Sequence, residues 1–532
     1  QPVGRIVAEL DLGRERAEGA VVLLESTVEL KREMLLALLA DVAAVDESEQ
    51  ALGLDAVRML VLVVARRRRG LAYRALVTSM AVLVVLLLAT GLAASFVWLF
   101  QRQQARAGAR YRSAAALAAA EAGIHRALAV LESVAPDGWS PGHLWRPSGH
   151  VEYHRVGALD ARSVVSIAEE DDGALLVTAT GEVAGTARRV RARVYLASPA
   201  LLVGLYATSL VRLEEPPAAT VVLPYGHGIG DRPWVHVAAG DGVWFATGSV
   251  SINDPSVRLP IGPGPADPPG APRDAPRAGP VRLLLARRAQ VLLGWDRQPV
   301  ELAFLRAAGI HVDGVVYRDE TLPPLPQVDR AYYRARAAAN SLNAPVHRAA
   351  GEFLGDRALA DKPDSVYTPA ELRQVLRYFR ESGAPPRLAG VVYVRGGLEL
   401  VDRARLVIVD GALVAESTVH LIEGATLEIL HSPATRTWPG LVVLDDGALV
   451  LAQGARLRVH GLVYVSRLVD AGDGVTVDVV GAVLAGDPRH SVRNRAATVV
   501  IRYDPAVMGT PGLPVTPGTV PVVWVAAWEE IP

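Results

Sequence analysis

Three histidines lie close enough together in the sequence to suggest a metal site. His143, His150 and His154 fall within twelve residues, and the spacing of the last two would place both imidazoles on one face of a helix. The nearby prolines and glycines predict a loop instead, and no glutamate directly follows the first histidine, as it does in zinc-protease helices. We therefore expect solvated loop histidines, with no bound metal and no other cofactor.

Carboxylates are the second group of residues that could do chemistry, because paired acids cleave glycosidic bonds when they converge on one groove. Eight candidates lie beyond residue 400, and most of them flank glycines: Asp402, Asp410, Glu416, Glu423, Asp445, Asp446, Asp473 and Asp478. Acids beside glycines usually cap turns and stay solvated. The sequence also lacks a Gly-x-Ser-x-Gly elbow, a Walker loop and a dinucleotide fingerprint, so we expect no catalytic residue.

The composition excludes further classes of chemistry. The chain of 532 residues has no cysteine, which removes disulfides, thiolate nucleophiles and cysteine-ligated metals. Its formal net charge is −1, so no overall field attracts nucleic acid, and we expect no nucleic-acid partner. Hydrophobic residues make up 51% of the chain, an excess that must lie in a membrane span or in thick apolar cores.

One segment is long and apolar enough to cross a membrane. Residues 75–101 carry no charge, and a helix of these 27 residues would be about 40 Å long, against a hydrocarbon layer of ~30 Å. Four arginines at positions 66–69 precede it, and the positive-inside rule keeps them in the cytoplasm. Trp98 and Phe100 lie near the outer end, where aromatic rings favour the interface. We expect a single span in the inner (cytoplasmic) membrane, a cytoplasmic N-terminus and a periplasmic or extracellular bulk.

The helical pattern continues beyond this span, without a proline until Pro136. Small residues recur there at helical spacings of three and four, and small side chains let two backbones approach closely. We expect this part of the helix to pack against another helix. The expected packing residues are Ala116, Ala120, Glu121, Gly123 and Ala127.

Three later segments have clear local patterns. Residues 175–195 contain two period-2 runs around a glycine-containing turn, which predicts a β-hairpin packed on the helix. Residues 260–280 hold eight prolines and four glycines, which predicts a loop. Thr368 and Glu371 form a capping-box pattern, which predicts a helix over 369–382 that ends at Gly383.

Beyond residue 385, short apolar runs separated by glycine repeat along the chain. Gly-(Val or Leu)-Val-Tyr begins at Gly314, Gly390 and Gly461, and Gly-Ala-x-(Val or Leu) recurs five times between Gly411 and Gly481. Such strands cannot bury their apolar faces singly, and stacked coils of a β-helix would bury them. An antiparallel sandwich or barrel with strands of similar length remains the alternative.

These elements predict an α+β fold: a long N-terminal transmembrane helix, a β-hairpin or sheet region packed on it, and a C-terminal right-handed parallel β-helix-like solenoid. In chain order we expect a cytoplasmic extension or leader (1–69), the transmembrane and protruding helix (70–135), the hairpin region (150–200), a mixed β domain (201–385), the repeats (386–500) and a C-terminal tail (501–532).

Two stretches resemble the N-terminal region of PilX-type minor pilins, which are type IV pilin-like proteins. They are Arg-Arg-Arg-Arg-Gly-Leu at 66–71 and Ala-Ala-Glu-Ala-Gly-Ile-His-Arg-Ala-Leu at 119–128, on either side of the apolar run. The hairpin and the chain end, 501–505 with 527–530, are similar to parts of the long forms with repetitive β regions. The resemblance implies a structural, non-enzymatic component of a type IV pilus or a related secretion or surface filament system, with an assembly or adhesion role.

The resemblance also implies processing and partners. A prepilin peptidase would cut after Gly70, so that the mature chain begins at Leu71 and its helix packs into a filament core. The implied partners are other pilin-like subunits, the pilus assembly platform, the peptidase and membrane lipid. Leu71 departs from the usual Phe or Met, and Ala75 replaces the Glu that neutralises the new N-terminal ammonium in most pilins. A buried charge without a counterion is costly, which favours a position at a filament tip or end.

The stretch before Gly70 is longer than an ordinary pilin leader. An amphipathic stripe within residues 18–46 predicts a cytoplasmic helix. Alternatively, the natural start is Met59, which leaves a twelve-residue leader.

Two hypotheses from other classes stay open. A membrane-anchored β-helix enzyme acting on polysaccharide requires that three or more of the acids between Asp402 and Asp446 converge in a groove. A polymer-forming scaffold like the bactofilins predicts that residues 390–500 assemble on their own.

Overall fold

The computed structural model describes most of the chain after the leader: residues 71–133, 150–156, 159–170, 173–215, 218–223, 235–246, 251–252, 283–286, 289–301, 304, 316–319, 322–489, 491–515 and 519–531. Gly70, His143, the leader and the proline-rich stretch 260–280 lie outside these residues. The chain divides into two compact units, Gln1–Ala107 and Gly108–Pro532.

One long helix, α1 (Leu71–Ser133), begins the described chain and has 63 residues. Its sequence favours a helix because it contains no proline and is rich in Ala, Leu and Arg, which have high helix propensity. By length and composition, the part from Ser79 to Glu132 could cross a membrane. This finding agrees with the predicted single span.

Five antiparallel strands form one sheet that packs on the last part of α1. They are β1 (His150–Val156), β2 (Leu159–Glu169), β3 (Leu175–Val183), β4 (Thr186–Ala197) and β30 (Val522–Ile531). The sheet order is β1-β2-β3-β4-β30. The predicted hairpin is confirmed as β3 and β4, which pair from Leu175↔Val194 to Val183↔Thr186. The histidine stretch is a strand rather than the expected loop, because residues 150–156 pair with β2 along their full length.

Short strands make up most of the larger unit. Those before the helices are β5 (Val203–Ala207), β6 (Leu210–Leu213), β7 (Ala219–Leu223), β8 (Val235–Ala239), β9 (Gly242–Phe245), β10 (Ser251–Ile252), β11 (Leu283–Ala286), β12 (Gln290–Leu293), β13 (Gln298–Pro299) and β14 (Val316–Asp319). Those after the first helices are β15 (Val366–Tyr367), β16 (Arg387–Ala389), β17 (Val392–Val394), β18 (Leu398–Leu400), β19 (Arg405–Val409), β20 (Leu413–Ala415), β21 (Val419–Leu421), β22 (Thr426–Leu430), β23 (Leu441–Val443), β24 (Leu449–Leu451), β25 (Arg456–Val465), β26 (Val469–Ala471), β27 (Thr476–Ala485), β28 (Val492–Asn494) and β29 (Thr498–Arg502).

These strands form parallel ladders in a sheet of 16 strands and a sheet of nine. One ladder runs β15-β17-β20-β23-β25-β27-β5-β8-β11-β14, and another runs β18-β21-β24-β26-β28-β6-β9-β12. A third ladder runs β16-β19-β22-β25-β27-β29-β7-β10. Within the described strands of these two sheets, β12–β13 is the antiparallel exception, so the ladders do not fit the antiparallel sandwich or barrel.

The strands of each ladder are in register, so that similar side chains of successive strands lie on top of one another. Leu406, Leu427, Leu457 and Val477 are aligned on four successive strands, and all are at most 4% exposed. Some glycines form close contacts where the strands turn: a Cβ on Gly411 would lie 1.9 Å from the backbone oxygen of Gly390, between β16 and β17. The Gly-Ala copies at Gly411 and Gly481 therefore mark points where neighbouring backbones are in contact, whereas a Cβ on Gly454 would meet nothing within 4 Å.

Four helices lie between β14 and β16: α2 (Arg330–Ala338), α3 (Ala344–Leu354), α4 (Arg357–Ala360) and α5 (Pro369–Ser382). Helix α5 has the predicted bounds. Thr368 and Glu371 form both hydrogen bonds of a capping box, and Gly383 ends the helix with a left-handed backbone.

The described residues therefore show a mixed α+β fold, with one long apolar helix near its start and extensive β-sheets. They do not show a closed β-helix. Strands on both sides of the predicted boundary at 385/386 belong to the same ladders.

Candidate functional site

The first part of α1 exposes apolar side chains on every side. Val85, Leu86, Leu87 and Leu88 are consecutive, and each is between 58% and 64% exposed. Because successive helical residues are rotated by about 100°, four consecutive residues cover the whole circumference. A helix that is apolar all round requires an apolar environment, which lipid or neighbouring helices can supply.

Two hydroxyl groups of this segment, those of Thr90 and Ser95, are satisfied within the helix itself. Thr90 Oγ1 donates to Leu86 O at 2.9 Å, and Ser95 Oγ donates to Gly91 O at 2.9 Å. In an environment without water, a hydroxyl needs such an internal partner. Thr90 and Ser95 can therefore enter lipid with their hydroxyl groups paired.

The last part of α1 has the opposite character, because it packs on the five-stranded sheet. Ala116, Ala120 and Ala127 are 0% exposed. Ala120 and Ala127 share an apolar cluster with Val177 and Val194 of the sheet. A Cβ on Gly181 of β3 would lie 2.0 Å from Ala116 O and 2.5 Å from Ala120 N, so only glycine allows this approach.

The four small residues of the expected packing set therefore pack on a different element from the one we expected. Gly123 also faces the sheet, where a Cβ would meet Val165 Cγ2 at 2.8 Å, and Glu121 is half-buried. Small residues allow close approach to any flat backbone surface, and here that surface is this chain's own β-sheet rather than another helix. Of the two processing residues, Leu71 is the first residue of α1, and Gly70 lies outside the described part.

The acids predicted to cap turns lie mainly at strand corners. Five of the eight have a left-handed backbone: Asp402, Asp410, Glu423, Asp445 and Asp446. Asp402 and Glu423 line one open surface groove with Arg403 and Gln453. Within the described residues, no group of three or more His, Asp or Glu side chains has a metal-binding arrangement.

Four of the other acids are held by local partners at separate places. Asp410 Oδ1 accepts hydrogen bonds from Ser432 N and Thr435 Oγ1, both at 2.7 Å, and these bonds lower the pKa of its carboxyl group. Glu416 accepts from Tyr393 OH at 2.7 Å. Two further acids form ion pairs with arginine: Asp445 with Arg330, and Asp478 with Arg502.

A buried histidine pair is the feature that the sequence analysis missed. His431 and His460 are 9% and 6% exposed, and His431 Nε2 lies 2.7 Å from Gly411 O. His431 N–H donates to His460 Nδ1 at 3.4 Å. The signal was present in the sequence, because a lone histidine interrupts the apolar run of β25 directly before Gly461.

Comparisons with known proteins add little to this geometry. No family model matches the chain, and no curated protein matches it. Among solved structures, the crystal structure of the competence-associated pilin ComZ from Thermus thermophilus aligns with 79% of this chain and 98% of its own, at 17% identity and a TM-score of 0.25. A similarity at this level carries no argument about the present chain.

Proposed function

We propose that this chain is a structural, non-enzymatic, pilin-like subunit of a type IV pilus or a related secretion or surface filament, of the PilX type that its sequence resembles. The observation that carries the proposal is the division of α1. Its first part exposes apolar side chains all round, and its last part is fixed to an antiparallel sheet through buried alanines. Such a helix can be anchored in lipid and later transferred to a bundle of like helices.

We propose that the chain is first inserted into the membrane and then processed and assembled. Before assembly, α1 spans the inner membrane once, with the arginines at 66–69 in the cytoplasm and the bulk of the chain outside. A prepilin peptidase then cuts after Gly70, and the assembly platform adds the mature chain to other pilin-like subunits. Ala75 leaves the new ammonium group without its usual counterion, which favours a place at a filament tip or end.

We further infer that the parallel ladders wind as a right-handed β-helix. Three ladders run side by side, and consecutive strands such as β19, β20 and β21 belong to different ladders, as the coils of such a solenoid require. This solenoid would be the displayed part of the subunit, where an adhesion or assembly role would reside.

The positions of the acids give the enzyme hypothesis little support, because they do not form one cluster. Asp402 and Glu423 share a groove, but Asp410, Glu416 and Asp445 each have a local partner elsewhere. A polymer-forming scaffold stays a weaker alternative, since it does not account for an exposed apolar helix.

The proposal predicts that the chain enters filaments only after processing at Gly70. Cells of the native host would be sheared, and the sheared and membrane fractions probed for wild type, Gly70→Leu and Gly91→Leu. Gly91 is the matched control, because a Cβ there meets nothing within 4 Å. We expect wild type and Gly91→Leu in the sheared fraction and Gly70→Leu in the membrane alone. Equal distribution of all three proteins would contradict the proposal.

A further inference from the structure

A cationic and aromatic cluster lies at the outer end of the apolar segment of α1. Trp98, Arg102 and Arg106 follow one another at intervals of four residues, so their side chains lie one above the other on one helix face. The guanidinium carbon of Arg102 lies 5.1 Å from the centroid of the Trp98 ring, which is a cation–π contact. Trp98 is 57% exposed, and both arginines are exposed.

Neither arginine forms an ion pair with an acid in the part of the chain that the structure describes. The sequence contains no Asp or Glu between Asp55 and Glu121. A second copy lying parallel and level with the first would place the same acid-free segment beside these arginines. In that arrangement, an anion that pairs with them comes from another kind of molecule.

We propose that Trp98, Arg102 and Arg106 form a binding site for the phosphate of an anionic phospholipid headgroup at the outer face of the membrane. The site rests on the proposed membrane span. At 1.5 Å per residue, Arg102 and Arg106 lie about 3 Å and 9 Å beyond Phe100, a depth that falls in or at the edge of the headgroup layer. An indole ring favours that layer, and the arginine stems lie along apolar surface while their charged ends reach the phosphate.

The site predicts which lipids gather around the protein. Each arginine near an anionic surface should favour the anionic over the zwitterionic lipid about fivefold, and the attraction falls off within a Debye length of about 10 Å. Arg110, one further helical turn from the bilayer, should contribute less. It therefore offers a matched control of the same residue type.

Fluorescence quenching can test the site in the full chain. The protein is reconstituted into phosphatidylcholine vesicles with a minor share of phosphatidylglycerol, and bromine is carried on the acyl chains of one lipid or the other. Brominated phosphatidylglycerol should quench Trp98 more, per molecule, than brominated phosphatidylcholine, by at least about fivefold. The Trp98→Phe variant should lose this difference, which assigns the signal to Trp98 among the other tryptophans.

The arginine variants separate the possible outcomes. The double change Arg102→Gln with Arg106→Gln should make the two lipids quench equally, while Arg110→Gln should keep most of the preference. Equal quenching in the wild type would overturn the lipid site and leave an acidic partner protein as the occupant, and a preference that survives the double change would also overturn it. If neither brominated lipid quenched Trp98, the proposed span itself would fail, which is a different result.

Discussion

At the scale of single residues, two buried histidines with lowered pKa values, His431 and His460, lie next to each other. Burial lowers the pKa of both, and for His460 it acts together with the nearby charge of Arg458 and with His431 to give a pKa of about 4. Arg502 also repels a proton on His460, whereas Asp410 favours one on His431. Both imidazoles should be neutral in the folded protein at pH 7.

This pair predicts a loss of stability in mild acid. The unfolded chain has a histidine pKa near 6.5 and the folded chain a lower one, so protons bind preferentially to the unfolded state as the pH falls. For His460, the folding equilibrium constant should fall by up to about tenfold per pH unit between pH 6.5 and about 4. Urea unfolding of the detergent-solubilised chain at several pH values would measure this slope.

The histidine prediction has a matched pair of variants. His460→Asn keeps an acceptor near the backbone N–H of His431 and removes the titrating ring, so the slope should become shallower. His420→Asn, on strand β21, makes the same substitution away from the buried pair and controls for the change of residue type. A slope that is identical in the wild type and in His460→Asn would show that this ring does not titrate on unfolding.

At the scale of elements, α1 and the sheet approach each other most closely at Gly181, which has no side chain. Gly181→Ala would place a methyl group 2.0 Å from Ala116 O and 2.5 Å from Ala120 N, both of which belong to rigid helical backbone. The helix would have to move away from β3, at a cost of about 1–3 kcal/mol as for other overpacked sites. Thermal unfolding of the purified chain should show a lower midpoint for this variant.

A glycine of the same helix serves as the control. Gly108→Ala meets nothing within 4 Å and replaces a helical glycine, so it should raise stability slightly, by about 0.5–1 kcal/mol. If Gly181→Ala unfolded at the same temperature as Gly108→Ala, the close approach of α1 to β3 would be wrong.

Local patterns explain why some elements could be predicted from the sequence and others could not. The β3–β4 hairpin and helix α5 depend on neighbours in sequence, through alternation around a turn and through a capping box. Strand β30 could not be placed, because its partner β4 is more than 300 residues away, as the Arg191–Glu529 contact across the pair illustrates. The packing of the alanines on the sheet was missed for a similar reason, since small residues indicate close approach without specifying the partner.

At the scale of the larger unit, the strands of the parallel ladders (β5–β29) lie in sequence between two neighbouring strands of the five-stranded sheet, β4 and β30. The chain leaves the sheet after β4, enters the ladders at β5, and returns from β29 to β30 beside β4. The segment that leaves the sheet and the segment that returns to it are joined by a hydrogen bond, in which Tyr503 OH donates to Leu201 O at 2.8 Å. The sequence could not reveal this order, because similar repeats do not specify which strand stacks on which.

The stacking of β6 on β28 joins residues far apart in the sequence. Arg493 donates two hydrogen bonds to the carboxylate of Glu214, at 2.7 Å and 3.0 Å. At the adjacent corner, the hydroxyl oxygens of Ser209 and Ser491 are 2.9 Å apart, and both residues are buried. These polar contacts lie where the early strands meet the late ones, and they fix the register of the two parts.

This junction predicts a specific disulfide. The chain has no native cysteine, so the double variant Ser209→Cys with Ser491→Cys should form one intramolecular bond, detected by mass spectrometry as a linked peptide pair. Ser209→Cys with Ser466→Cys should not, because Ser466 lies two strand spacings away, about 10 Å. A linked pair in the second variant but not in the first would contradict the order of the ladders.

The central claim, that this chain is a processed pilin-like subunit, is tested most directly by the N-terminus of the mature protein. The chain would be extracted from membranes of cells with an active prepilin peptidase and sequenced from its N-terminus. We predict a mature chain that begins Leu71-Ala72-Tyr73, because Gly70 is the only glycine between Gly53 and Gly91 and the peptidase requires a small residue at the bond. An intact extension before Gly70 in those cells would contradict the account and leave only a membrane-anchored scaffold.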